Sequence, residues 1–207
     1  MEPQPKSKFR ILDDYLLPNL ICIGTMRSGT TWLYNVLKAH PDIYLCSFRK
    51  ETHFFTFNYN KGLEWYKQFF PKVEKIKDYK IIAEIAATYS FEENCAERVF
   101  IHFPDIKLMI MLRNPVDRLI SDYKYEKLKL NIKHSFKEFM SEKTYSFKRG
   151  LYAQQLKNWL KIFPKDQLQI LIFEEVMRDK SNAIKRISDF LNIDRKKFNF
   201  SILSKKI

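Results

Sequence analysis

The chain has 207 residues, 45% of them hydrophobic, and 37 lysines and arginines against 24 acidic residues leave a formal net charge of +13. That apolar content suits a full core at this length, while no apolar run approaches the about 20 residues that a bilayer-spanning helix needs. The basic excess favours polyanionic partners (nucleic acid, phosphorylated cofactors, acidic glycans, anionic membrane), although scattered lysines without a dense run also describe a solvated surface.

Three cysteines, Cys22, Cys46 and Cys95, form an odd set without C-x-x-C spacing; reduced thiols are expected, and no metal site. The start, "MEPQPKSKFRILDDYLLPN", has no apolar h-region. No signal peptide is expected, and a chain complete at its start would default to the cytoplasm.

In chain order, "NLICIG" (Asn19–Gly24) is a short apolar run closed by glycine and predicts a buried strand. "TTWLYNVLKAH" (Thr30–His40) sets Trp32, Leu33, Val36 and Leu37 at helical spacing, with Pro41 as the stop. A weak strand is expected at "DIYLCS", a short helix over Gly62–Pro71 and a strand over Lys80–Ala86. "NCAERVFIHFP" reads as a helix, "KLMIMLR" (Lys107–Arg113) as a strand, and "NPVDRLISDYKYEKLKL" as a helix with Pro115 in its first turn. "SFKEFMSEK" and "GLYAQQLKNWLKIFP" are amphipathic helices, "LQILIF" (Leu168–Phe173) is a strand, and "KSNAIKRISDFLNI" is a last helix. Strands separated by helices predict one α/β unit over residues 1–207, with a mostly parallel sheet covered on both faces.

Three segments carry chemistry. "GTMRSGTTW" (Gly24–Trp32) joins a strand to a helix. Its backbone N–H groups, the helix N-terminus, the hydroxyls of Ser28, Thr30 and Thr31, and the forked guanidinium of Arg27 suit an anion, against the alternative of an ordinary tight turn. A nucleoside triphosphatase would need G-x-x-x-x-G-K-[ST]. Here Thr30 follows Gly29, so the lysine is missing. In "LRNPVDRLISDY", Arg113 ends a strand at the sheet's carboxyl edge, and Ser121 lies two helical turns on, able to face the same anion. Arg118 is a third contact or pairs with Asp122 or Asp117. In "FRKETHFF", Glu51 stands between Lys50 and His53, as a catalytic carboxylate or in a surface pair with Lys50 or Arg49.

Together these segments resemble the sulfotransferases that use 3′-phosphoadenosine 5′-phosphosulfate (PAPS) and release 3′,5′-adenosine bisphosphate (PAP). "RSGTTW" is similar to their 5′-phosphosulfate loop, "RNPVDRLIS" to their 3′-phosphate segment, and "KETHFF" to an element of the glycan-sulfating branch. The resemblance runs from about Asn19 to Ile193. It implies a three-layer, P-loop-NTPase-like fold with helices flanking the sheet. It also implies cofactor contacts from Arg27, Ser28, Gly29, Thr30, Thr31, Trp32, Arg113 and Ser121. Glu51 becomes the general base, with His53 assisting or orienting it and Lys50 stabilising charge. The implied acceptor is a hydroxyl, less readily an amine, on a carbohydrate or small molecule, with no nucleic acid. Trp65, Tyr66, Phe69 and Phe70 read mainly as core, and Arg149, Gly150 and Tyr152 as residues that border the nucleotide or lie apart from it.

The chain departs from the pattern in three places. Arg27 stands where lysine is common. The E-x-T-P-x-Y element reads "EIAATY", with Ala86 and Ala87 for the T-P pair. Finally, "FNFSILSKKI" takes the place of a basic closing loop, leaving both a fragment and a minimal form with a more open cofactor site. Two competing functions are a nucleotide kinase, which the absent lysine disfavours, and a non-catalytic polyanion-binding module, which leaves Glu51 unexplained.

Overall fold

The computed structural model describes residues 9–46, 51–75, 79–141 and 144–199. An antiparallel hairpin comes first, β1 (Ile11–Leu12) and β2 (Tyr15–Leu16). Its turn residues Asp13 and Asp14 have φ of 42° and 63°, the left-handed pair that a two-residue hairpin turn needs. There follow β3 (Leu20–Gly24), α1 (Thr30–Lys38), β4 (Ile43–Leu45), α2 (Gly62–Tyr66), β5 (Ile81–Ile85), α3 (Cys95–His102) and β6 (Lys107–Leu112). The second half comprises α4 (Pro115–Tyr125), α5 (Phe136–Phe139), α6 (Tyr145–Lys148), α7 (Tyr152–Leu160), β7 (Leu168–Ile172), α8 (Phe173–Arg178) and α9 (Lys180–Leu191).

β3 to β7 form a five-stranded sheet in the order β4-β5-β3-β6-β7, with every neighbouring pair parallel. The expected parallel α/β sheet is therefore present, and the weak fifth strand is its edge. Period-two alternation divides each strand between two cores. Ile21, Ile23, Leu108 and Ile110 face Phe54, Phe55, Tyr66, Trp159 and Phe163. Leu20, Cys22, Met109 and Met111 face Trp32, Leu33, Ile184 and Ile187. All three cysteines are buried free thiols, and no described helix is long and apolar enough to cross a membrane.

Several elements differ from expectation. The helix expected over Gly62–Pro71 is split into 3-10 turns at Tyr59–Lys61 and Lys67–Phe69 around the short α2. There Trp65 packs on Phe69 and Tyr66 on Phe70, with ring centroids 4.7 and 4.8 Å apart. α4 is α-helical only to Tyr125; it widens to π geometry over Glu126–Leu130 and stops at Asn131, φ 53°. α5 is a short, capping-box turn of the expected "SFKEFMSEK" helix. Phe173, expected to end a strand, opens α8.

Ile110 is fully buried in β6, between β3 and β7. Ile110→Ala is expected to cost about 2–5 kcal/mol of unfolding free energy, the range for truncating a buried aliphatic side chain. Urea denaturation with the slope held to the parent's tests it. A loss below about 1 kcal/mol would mean that this layer of the sheet collapses onto the cavity.

Candidate active site

The strand order reverses at β3: β5 and β4 lie to one side, β6 and β7 to the other. Open α/β sheets bind ligands beyond the carboxyl ends of strands at such a point. The β3–α1 turn occupies it and is stitched to β6. The Thr25 N–H and hydroxyl both donate to the Met111 carbonyl, at 2.8 and 2.9 Å, and the Thr25 and Ser28 hydroxyls share a hydrogen bond of 2.6 Å.

Gly29 caps α1 with φ 93°. A Cβ there would stand 2.7 Å from the Phe173 ring, so both conformation and space require glycine. Ser28 is fully buried and its hydroxyl is engaged within the turn. Trp32 is buried in the second core. Thr30 is buried and Thr31 exposed in the first turn of α1, where the helix N-terminus carries about half a positive charge. The Ser28 and Trp32 side chains are thus buried beside the turn, and what the turn itself presents outward is its backbone and the first residues of α1.

Arg27, Ser121 and Arg113 do converge. Arg27 takes a left-handed backbone, φ 67°. Its Nε donates to Ser121 Oγ at 3.2 Å and its guanidinium lies 4.7 Å from the Tyr125 ring centroid. Arg113 Nη1 donates to the Arg27 carbonyl at 3.3 Å, and its guanidinium stacks 4.7 Å from the centre of Phe173. Neither arginine is ion-paired with a carboxylate among the described residues. Arg113 Nε is buried without a partner. Two cations held by aromatic faces beside a helix N-terminus fit a multiply charged anion. Arg118, on the same motif, is fully buried and donates to Asp122 at 3.0 Å and to the Ser146 carbonyl; of its alternatives, the ion pair is the one formed.

The second part of the site is the Glu51–Phe55 loop. Glu51 Oε2 accepts from the Ala87 N–H at 3.0 Å, and His53 Nε2 lies 3.9 Å from the same oxygen. The Ala87 bond is one that the proline of the family pattern could not make, since proline has no N–H. Lys50, expected to stabilise charge, lies outside the described residues. Trp65 packs against the first core with Lys61 Nζ 4.5 Å from its ring centroid, as the packing reading expects.

The residue that sequence reasoning underrated is Glu84. It is fully buried on β5. Its Oε1 accepts from the Thr52 N–H at 3.1 Å, from Tyr89 OH at 3.0 Å and from the Thr52 hydroxyl, and its Oε2 accepts from Tyr66 OH at 2.7 Å. Thr52 lies between Glu51 and His53, so this buried carboxylate anchors the loop that carries them. Burial pushes the Glu84 carboxyl above the usual carboxylate range, against the pull of its donors, and burial together with the Glu84 charge raises both tyrosines. The available signal was a charged residue inside the apolar run "KIIAEIA".

A five-stranded parallel sheet flanked by helices, with a glycine-bearing anion turn at its reversal point, defines an α/β protein of P-loop-like fold. The family model described as "Sulfotransferase domain" matches residues 17–206, and the chain belongs to the sulfotransferase family. It is 30% identical over 205 residues to the mouse heparan sulfate glucosamine 3-O-sulfotransferase 3A1, covering 94% of this chain and 51% of that protein. To the mouse 3-O-sulfotransferase 6 it is 32% identical over 186 residues, 86% of this chain and 53% of the relative. The chain thus spans about half the length of these relatives. Among solved structures, a sulfotransferase from Alicyclobacillus acidocaldarius superposes with a TM-score of 0.79 at 27% identity, covering 93% of this chain and 87% of that one. The mouse sulfotransferase SULT7A1 complexed with PAP shares the fold, with a TM-score of 0.63 at 19% identity over 90% of this chain and 62% of that one.

Glu84 generates a pH prediction. Because its folded pKa is raised, the folded state keeps the proton over a window in which the unfolded chain has released it. Its contribution to stability is full below the unfolded value and is lost as pH rises through the folded one. Glu84→Gln keeps the shape and does not titrate. The stability of Glu84→Gln relative to the parent is therefore expected to rise as pH increases from the ordinary carboxyl value of 4.5. Urea titrations of both proteins across pH read the difference, and a flat or falling one would show a carboxyl that is not raised.

Proposed function

We propose that this chain transfers a sulfuryl group from PAPS to a hydroxyl of a carbohydrate acceptor. The convergence of Arg27, Ser121 and Arg113 at the carboxyl ends of β3 and β6 carries this reading. Family membership implies PAPS, and the heparan sulfate relatives motivate a glycan acceptor. The residues fit the cofactor: Arg113 has a buried, unpartnered Nε, and neither it nor Arg27 is neutralised by a carboxylate among the described residues.

In this reading the turn from Arg27 to Thr31 receives the 5′-phosphosulfate end, through backbone N–H groups, the start of α1 and the Arg27 guanidinium. Arg113 and Ser121 hold the 3′-phosphate. When bound, PAPS supplies an activated sulfuryl group. Glu51 accepts the proton from the attacking hydroxyl at a carboxylate oxygen, with His53 beside it to orient or relay. The Ala87 N–H fixes the rotamer of Glu51, and the Glu84–Thr52 bonds fix its backbone. The protein contributes position and charge stabilisation. Arginine in place of lysine at position 27 keeps the charge but brings a broader, planar donor set already committed to Ser121 and Tyr125.

Arg113→Ala is expected to weaken PAP binding through loss of charge-assisted bonds worth about 1.5–3 kcal/mol each, and to leave 5′-AMP nearly unaffected. Calorimetry without Mg²⁺ measures both; equal losses would refute the 3′-phosphate assignment. If the parent binds only Mg-ATP and not PAP, the kinase reading replaces this one.

Glu51→Gln is expected to retain PAP affinity and to lower transfer of labelled sulfate by the ~10²–10⁴-fold typical of a missing general base. Unchanged turnover on an accepted substrate would remove Glu51 from the chemistry and make His53 the candidate.

A further inference from the structure

A groove of about 950 Å³ runs between the start of α3 and the outer face of α6 and α7. Its wall is joined to the residues of the proposed transfer site by two connections. The stretch from Ala87 to Ser90 packs over Gly24 at the end of β3, the Ser90 hydroxyl and the Ala87 carbonyl lying 2.7 and 3.2 Å from where a Gly24 Cβ would stand. The Ala87 N–H holds Glu51, and Ser90 lines the groove. Arg149 makes the second connection. Its Nη1 reaches Met26 Sδ on the anion turn at 3.8 Å, and its guanidinium lies 4.7 Å from the ring centre of Tyr145, a groove residue. The buried Gln155 ties these together, accepting from Ser90 Oγ at 3.1 Å and donating to the Arg149 carbonyl at 2.9 Å.

The lining does not follow the charge of the chain. Glu92, Glu93 and Glu97 outnumber the groove's two lysines, Lys148 and Lys161, in a protein of net charge +13. The amides of Gln154 and Asn158 lie on its α7 wall and Tyr145, half-exposed, on its α6 wall. Amides and carboxylates lining one groove offer donors and acceptors of the kind that hydroxyl groups satisfy, and Tyr145, packed on Phe91 and Arg149 and donating to Glu92 at 2.7 Å, fixes the α6 wall beside them. A polysulfated chain entering here would meet three carboxylates, a repulsive element against the wrong partner.

We propose that this groove is the acceptor subsite and that its occupant is an uncharged, hydroxyl-rich oligosaccharide rather than a sulfated one. The assignment of the acceptor rests on the sulfotransferase reading above; the binding it predicts does not need turnover. Asn158 is exposed on α7, and among the described residues its side chain accepts from Gln154 one helical turn away, so Asn158→Trp fills the groove without disturbing the core. In saturation-transfer NMR, maltohexaose and N-acetylchitohexaose are the neutral probes and a heparin hexasaccharide is the sulfated one, with PAP calorimetry in parallel. The parent is expected to bind at least one neutral probe, Asn158→Trp to weaken it by about tenfold or more, and PAP affinity to be equal in both proteins. The Glu93→Lys/Glu97→Lys pair is expected to let the heparin probe compete with the neutral one. Three results overturn the proposal: no neutral probe binding at millimolar concentration, neutral binding indifferent to Asn158→Trp, or a heparin probe displaced by Asn158→Trp in the otherwise unaltered protein. Failure of the parent to bind PAP defeats the sulfotransferase reading instead, while the groove measurements stand.

Discussion

The site depends on one constraint, the stitching of the β3–α1 turn to the neighbouring strand. Thr25 spends both its N–H and its hydroxyl on the Met111 carbonyl of β6. With the parallel pairing of β3 and β6, this brings Arg113, two residues beyond Met111, against the Arg27 carbonyl. Gly29 then enters α1 under the Phe173 ring, which also carries the Arg113 guanidinium. A shift in this pairing would separate the two arginines and turn the strand residues to the wrong core.

The arginines of the second motif have opposite roles. Arg118 is fully buried with Asp122 and the Ser146 carbonyl, its charge compensated within the protein. Such a pair is costly to break from one side, because the surviving charge is left buried. Arg113, five residues earlier, is only partly buried and is held by an aromatic face instead of a carboxylate. Aromatic support fixes a guanidinium without neutralising it, and so leaves it able to meet a ligand's charge.

The loop that carries Glu51, the proposed base, is built from beneath. Glu84 gathers Thr52, Tyr66 and Tyr89 in a dry part of the first core, where satisfied polar groups bind strongly and unsatisfied ones are expensive. Glu51 itself hangs on Ala87, a position where the family pattern has proline, and the substitution adds a donor. The same stretch continues to Ser90 and the groove, so one short segment joins the Glu51 contact, the end of β3 and the groove wall.

The fold class was legible because apolar runs such as "NLICIG" and "KLMIMLR" are too short and too uniform for anything but strands buried on both faces, and the helices between them force parallel pairing. The strand–turn–helix unit around Gly29 was legible as well, from glycine and hydroxyls between an apolar run and a helical pattern, and the spacing of Arg113 and Ser121 was enough to bring both beside that turn. Local pattern failed where packing overrode propensity. Along Trp65–Phe70, where rings pack edge to face, an expected helix is broken, and Phe173 leaves its strand to cover Gly29. Ser28 and Trp32 lie in the motif but face inward. Sequence alone therefore determined which residues gather around the turn at the end of β3. Only the tertiary structure decided which of them are buried, that Arg118 is consumed by Asp122, and that Glu84, 32 residues from Thr52 along the chain, anchors the loop that carries Glu51. Those outcomes turn on burial and on bonds between distant segments, and neither is written in local order.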